Sequence, residues 1–395
     1  MPACKSWMKY AWEGHYCENP PWPQDPEGLC ILHSLKPEKD KETFAQAVGE
    51  KLARPDYDFR EVYFPHPVSF AKQKFTQPAN FRGARFAGWA DFRESEFLEG
   101  ADFSHARFPQ AAIFERVRFA RETSFQGAEM LGEADFRGAA VEGSVTFQQV
   151  NESRGAGPRP AFTASFRYVS FGSEGFLRFQ DLSLSQVSFL GADLRRVNFH
   201  NVRWHAHRGR QVIYDEALLG RIGLPAALDH ALAFDHTLSY EDTCARVEEL
   251  YRYLKLNYEQ EGDLKQAGDF HYGEMEMHRR ANPWRRWFPF SWYNLYGALS
   301  GYGERPLRAL AWLLGLLGGL AAILSHSGLQ TTSGGQAGWG AALIYLLQQA
   351  TLIHPDWAIP ATSGGNLLGA LSRILLPAQA ALFILALRNR LGRRR

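Results

Sequence analysis

Cys4, Cys17, Cys30 and His33 fall in a C-x12-C-x12-C-x2-H pattern. A Cys-x2-His pair brings a thiolate and an imidazole to one point, and two further thiolates complete the tetrahedral shell that zinc takes. Such a shell leaves no coordination position open, so its role would be structural rather than catalytic. The surrounding segment is short, rich in Pro, Gly and Trp and poor in aliphatics, so a metal would supply folding energy that its own core does not. Two other readings of the thiols stay open, as buried free cysteines and as disulfides. A second group, Glu274 and Glu276 with His271 and His278, has the residue types of a metal or acid–base site. No glycine-rich phosphate loop or nucleophile stands near it, and the expectation is a solvated helix face. Arg373 is the third point of interest, a cation inside an otherwise uncharged apolar run. An ionisable group so placed marks a cavity or a partner by default.

The chain that must position these residues has 395 of them, enough for two to three domains. Its 44 Lys and Arg nearly cancel its 42 Asp and Glu. This balance argues against a basic protein that coats DNA and against an acidic disordered chain. Four cysteines in such a length do not make a secreted disulfide scaffold. The first twenty residues lack an apolar core and a small-residue cleavage site, so no signal peptide is expected. Residues 1–59 read as a small Cys/His cap. Within it, residues 39–52 form an amphipathic helix with Phe44, Val48 and Leu52 on one face, suited to covering an open β end.

From Phe75 to Phe147 large apolar residues recur at alternating steps of six and five, with a small residue two places before most of them. After an interruption at 151–160 the series resumes at Phe166 and Phe171, then settles into fives through Leu184, Phe189, Leu194, Phe199 and Trp204. Helices return apolar residues at three and four, strands at two. A five-residue period instead fits a chain that turns a corner every few residues around a narrow interior. The run Ala192-Asp193-Leu194-Arg195-Arg196-Val197-Asn198-Phe199 resembles the A(D/N)(L/F)xx pattern of the pentapeptide-repeat family. The resemblance implies a right-handed quadrilateral β-helix over residues 60–204, with the six-residue steps bulging alternate corners. Family members that mimic a DNA duplex need an acidic surface. This stretch is balanced in charge, so no nucleic-acid partner is expected, and the rod reads as a spacer or a scaffold for protein partners.

From Tyr240 the period becomes helical, with Val247, Leu250, Tyr251, Leu254 and Tyr258 on one stripe. Gly262-Asp263 breaks the run before a second helix that ends near Arg280. Residues 205–282 thus read as a helical-hairpin adaptor, similar to a tetratricopeptide hairpin and to a stretch of bacterial pentapeptide-repeat proteins that continue into a membrane module. Cys244 reads as a buried thiol. Residues 283–305 crowd Trp, Tyr and Phe with arginines, as an interfacial segment does.

Residues 306–395 contain two runs long enough to span ~30 Å of hydrocarbon, 309–329 and 367–387. Between them, 339–353 is apolar but too short and too polar at Gln348 and Gln349 to cross, which suits a re-entrant or interfacial helix. Lys and Arg flank both runs on their outer sides, and none occurs from 325 to 366. Both termini are therefore expected in the cytoplasm, and the resemblance to bacterial pentapeptide-repeat membrane proteins implies the inner membrane of a bacterium. Span, short helix, loop and span resemble the plan of two-transmembrane potassium channels, with residues 342–351 similar to the pore helix. That resemblance implies a homo-oligomer, a tetramer, and makes Gln348, Gln349, Thr351, His354, Asp356 and Arg373 the pore candidates. Where the filter belongs, residues 351–357 carry no glycine pair, which removes the basis of K⁺ selectivity. Arg373 either lines the pore, or snorkels to the headgroups or pairs with Asp356.

These readings combine into a multidomain protein of the bilayer: a zinc cap, a pentapeptide-repeat β-helix, an α-helical adaptor, and a two-helix transmembrane domain with a re-entrant pore-like helix. The sensor–pore reading has the soluble part bind an unknown protein or small-molecule cue while oligomerised spans pass ions. By resemblance this serves bacterial stress or phage defence. The rival is a non-conducting anchored scaffold. No nucleophile–base pair or catalytic metal signature occurs, so catalysis is not expected.

Overall fold

The computed structural model describes residues 4, 5, 17, 19–152, 161–207, 209–219, 238–282, 284, 288, 291–327, 329–332, 334–351, 353 and 355–391. The chain divides into two compact units, Met1–Ser239 and Tyr240–Arg395.

The first unit is a β-solenoid of about six coils. Short strands of two to five residues, broken by corners, stack into four parallel sheets of four, six, five and six strands. Tyr63 pairs with Arg85, and Arg85 with Arg107, so before the interruption each coil returns after 22 residues, two six-plus-five units. The five-residue steps close through β-turns, such as Ala84 N–H to the Phe81 carbonyl at 3.0 Å. The third residue of each turn is left-handed, at Glu61, Lys72, Gly83, Glu94, His105, Arg116, Gly127 and Gly138, as a type II turn requires. The special backbone thus sits in the shorter step. From Phe64 to Phe147 the six-residue steps make their wider corner with a positive φ at Gly100 alone.

Every small residue of the repeat, from Ala79 to Ala139, is buried together with the large ones. Phe59, Phe81, Phe103, Phe125 and Phe147 stack with centroids 4.8–5.0 Å apart and planes within 13°. A second column runs through Phe70, Phe92, Phe114, Phe136 and Phe166 at 4.7–5.1 Å. The spacing follows from the backbone, because hydrogen-bonded strands lie about 4.8 Å apart and each ring rides on its strand. Adjacent columns meet edge to face, as Phe92 and Phe103 do at 5.5 Å. Beyond the interruption the stacking continues, with Ala134 paired to Ala164. Phe171, expected in the core, is only half-buried; Phe162 and Phe179 take core places instead.

Both solenoid ends are closed. Helix α1 (Lys41–Ala53) starts on Asp40, whose carboxylate accepts from Thr43 N–H at 2.8 Å. It sets Phe44 edge-on to Phe64 at 5.7 Å. At the far end Trp204 covers Phe199, and α2 (Tyr214–Leu219) buries Asp215. The Asp215 carboxylate accepts from Phe189 N–H at 3.0 Å and from the Ser188 hydroxyl, so it ends a sheet whose next strand is missing. Burial pushes this carboxyl upward, against the pull of those donors.

The second unit is helical. α3 (Tyr240–Gln260) and α4 (Leu264–Ala281) form a hairpin around Tyr251, Leu254, Tyr258 and Phe270. Cys244 is buried in α3. After α5 (Trp292–Ser300) come α6 (Pro306–His326), α7 (Trp339–Ala350) and α8 (Ser363–Leu391). Helices α6 and α8 are long and apolar enough to cross a membrane. α7 packs between them through Ala342, Tyr345 and Leu346 against Leu320, Leu324 and Leu376. A two-stranded antiparallel ribbon, Leu329–Thr331 with Ala358–Pro360, ties the chain before α7 to the chain after it.

Candidate functional site

Cys30 opens a tight turn in which the N–H groups of His33 and Ser34 both donate to its carbonyl, at 3.1 and 2.9 Å. The turn folds the His33 ring back over its neighbour, so that Nδ1 lies 3.1 Å from Cys30 Sγ. Cys4 arrives from the chain start, held by its own N–H on the Asn19 carbonyl, and its Sγ accepts from Cys30 N–H at 3.1 Å. Cys17 Sγ lies 3.7 Å from Cys30 Sγ, and Cys4 Sγ lies 3.7 Å from His33 Nδ1. All four ligand atoms fall within 4.8 Å of one another, so the cluster can hold a metal ion. The sulfur separation is far beyond a disulfide bond of about 2.05 Å, and all the cysteines are free thiols here.

The donor set fits zinc. Bonds of about 2.3 Å to sulfur and about 2.0 Å to nitrogen give a tetrahedron whose edges measure about 3.5–3.8 Å. On the far side of the imidazole, Nε2 lies 3.0 Å from the Arg60 carbonyl oxygen. A carbonyl only accepts, so Nε2 carries a hydrogen, and a metal bound between the sulfurs would take the Nδ1 lone pair. Burial opposes a charge on His33, but hydrogen bonds with Cys30 and Cys4 outweigh it and push its pKa up to about 10. The same contact also pins the cluster to the first solenoid coil. So do Tyr63 N–H on the Leu32 carbonyl at 3.1 Å and buried Lys39, whose ammonium donates to Leu32 and Tyr63 carbonyls at 3.0 and 2.6 Å. Burial pulls the Lys39 pKa down to about 7.

In the helical unit, Arg373 Nε donates to the side-chain oxygen of Gln349, which is buried at the last turn of α7. Pairing with Asp356 was one of the alternatives open for Arg373. Asp356 lies exposed in the loop beyond α7 and makes no ion pair with Arg373, because Gln349 on the helix itself faces α8. Gln348 accepts from Trp357 Nε1 at 2.7 Å, and the Thr351 hydroxyl donates back to the Leu347 and Gln348 carbonyls. His354 lies outside the described residues. Two polar features of α8 were not singled out from sequence. Buried Gln379 donates to the Ala309 carbonyl of α6 at 2.9 Å. Pro377, inside the helix, leaves the Arg373 carbonyl without its usual donor. Both stand in LLPAQAAL, where one amide and one proline in an apolar run were the available signal.

The acidic hairpin group is not a solvated face. Glu274 binds Lys255 at 2.7 Å and Arg252 at 3.2 Å, with His271 beside it. Burial pushes Glu274 upward, yet these partners outweigh it and hold the carboxyl down at about 2. Glu276 accepts from Arg279 at 2.7 Å and Arg280 at 2.8 Å, and His278 pairs with Glu248 at 3.0 Å. With each acid occupied by cations of its own hairpin, the group has the character of a structural ion-pair network.

Comparison with known families agrees with the solenoid. A family model described as pentapeptide repeats (9 copies) matches residues 59–107 and 103–151. Neither the curated proteins nor the solved structures searched gave a match.

Proposed function

We propose that this pentapeptide-repeat protein is embedded in a membrane by α6 and α8, and that several copies assemble these helices around a path for ions lined by Arg373. The observation that carries the reading is the exposure of Arg373 on the single chain, among exposed Leu371, Ile374 and Leu375. A lipid-facing arginine near mid-span costs at least about 2.5–3.5 kcal/mol. At 1.5 Å per residue Arg373 lies roughly 15 Å from the start of α8 and roughly 22 Å before Arg388. Its bond to Gln349 holds it on α7 rather than at a headgroup. Copies of the chain, or water between them, relieve that cost. The ribbon that closes the two ends of α7 at one level supports a helix that dips into the bilayer and returns. Without filter glycines the path is not selective for K⁺, and a ring of arginines favours anions. In the first unit, the Cys3His cluster binds a structural zinc that crimps the cap onto the solenoid.

The test is efflux from liposomes holding the purified full chain. Iodide efflux above protein-free vesicles is expected, and Arg373→Gln should lower it about tenfold while Arg373→Glu shifts preference toward cations. Elemental analysis should find about one zinc per chain. A scaffold reading has one observation in its favour: Gln348, Gln349 and Thr351 are all engaged within the chain. Wild-type protein with no efflux under any ion gradient would leave a membrane-anchored scaffold that binds protein partners along the solenoid.

A further inference from the structure

Between the hairpin and the first span the chain passes through Gly301-Tyr302-Gly303, three consecutive residues in left-handed conformation. Two are glycines, to which this region is open. The third carries a full tyrosine side chain, and L-residues of that size rarely adopt it. Tyr302 is nevertheless buried, so its surroundings hold it there. Its ring lies against Gly297, where a Cβ would come within 2.7 Å of it, and edge-on to Tyr272 of α4 at 5.2 Å. Its hydroxyl donates to Glu276 of α4 at 3.3 Å. The next residue is tied to the other end of the unit: Asn389, near the C-terminal end of α8, donates to the Gly303 carbonyl at 3.2 Å. Arg305 stands over the Tyr272 ring at 5.3 Å. One tight loop therefore touches the hairpin on one side and the end of the second candidate span on the other.

We propose that Tyr302 and its flanking glycines are a joint through which the hairpin α3–α4 sets the position of the C-terminal end of α8. The hairpin reaches that joint through Glu276, which is itself held by Arg279 and Arg280. A displacement of α4 withdraws the Glu276 acceptor and the Tyr272 ring together. Tyr302 then loses the contacts that keep it left-handed, and the Gly303 carbonyl moves relative to Asn389. The consequence for ion passage rests on the pore reading; the mechanical coupling does not.

Hydrogen exchange by mass spectrometry on the full chain in lipid nanodiscs tests the coupling. Tyr302→Phe and Glu276→Gln, both conservative, should each speed exchange at least about tenfold at residues 270–281 and also at 384–391. Arg252→Gln, which loosens a hairpin ion pair away from the joint, should leave 384–391 within about twofold of wild type. Acceleration confined to 270–305 in the first two variants would overturn the joint. Iodide efflux from liposomes separates the two readings, with at least a fivefold change expected for Tyr302→Phe. Spread exchange with no efflux in any variant keeps the joint and sinks the pore. Confined exchange with an Arg373→Gln effect on efflux keeps the pore and sinks the joint.

Discussion

The solenoid and the helical unit solve the problem of burying apolar surface in opposite ways. In the solenoid each phenylalanine lies on the equivalent residue of the coils before and after it, and each strand bonds to its neighbours in the same direction. Stability is then a sum of nearest-neighbour terms, and the structure needs special devices only at its ends, the Cys/His cap and Asp215. The helical unit has no such repetition. α6 and α8 leave Leu314, Ile323, Leu367, Ile374 and Ile384 exposed, and the polar contacts that join α8 to α6 and α7 are single and different from one another. A repeat closes its core by itself, whereas this helical unit leaves a broad apolar surface uncovered within the chain.

That contrast can be broken most directly in the solenoid core. Phe103→Ala removes a ring that stacks on two neighbours, and it should cost about 3–5 kcal/mol. Denaturant unfolding followed by the β-sheet circular-dichroism band would measure it. A loss below about 1 kcal/mol would mean that the columns do not carry the fold. Because contacts are between neighbours, the helical hairpin should keep its helical signal in the same variant.

A smaller effect separates the units by pH. The Glu274 carboxyl is held at about 2 in the folded hairpin, below its ordinary 4.5. A depressed carboxylate stabilises fully above its unfolded value and loses that stabilisation as pH falls through the folded value. The hairpin should therefore weaken as pH falls from about 4.5 to about 2, and Glu274→Gln should make that slope shallower. An unchanged slope in thermal melts across this window would show that other acids dominate.

The smallest expected effect lies at the solenoid corners. Glu94 is left-handed, and its ion pair to Lys72 at 3.9 Å is exposed and worth little. Glu94→Gly should raise stability by up to about 1 kcal/mol. Gly127→Ala should lower it, since the new Cβ would lie 2.6 Å from the His105 ring. Equal melting temperatures for both variants would show that these turns relax freely.

The two units also differ in how much of them could be read from residue order. The alternation of six and five was enough to find the solenoid, because in a repeat the long-range partner of a residue is always its own equivalent one coil away. Which of the two steps holds the left-handed residue was not legible: Glu94, Lys72 and His105 are not turn-forming types, and only the stacked backbone forces them there. The spacing of Cys4, Cys17, Cys30 and His33 named all four members of the cluster, whereas only the fold brings their ligand atoms within 4.8 Å of one another. In the helical unit, hydropathy marked the two long helices, since length and apolar content are properties of a segment alone. Partners are not. Asp356 was the nearest acid in sequence, yet Arg373 bonds Gln349 because α7 packs with that face toward α8. Glu274 and Glu276 looked like an exposed face because their cations lie partly on the opposite helix. Hydrophobic period and spacing are one-dimensional quantities and survive in the sequence; the choice of a polar partner depends on which faces meet, and that is decided only when the helices pack.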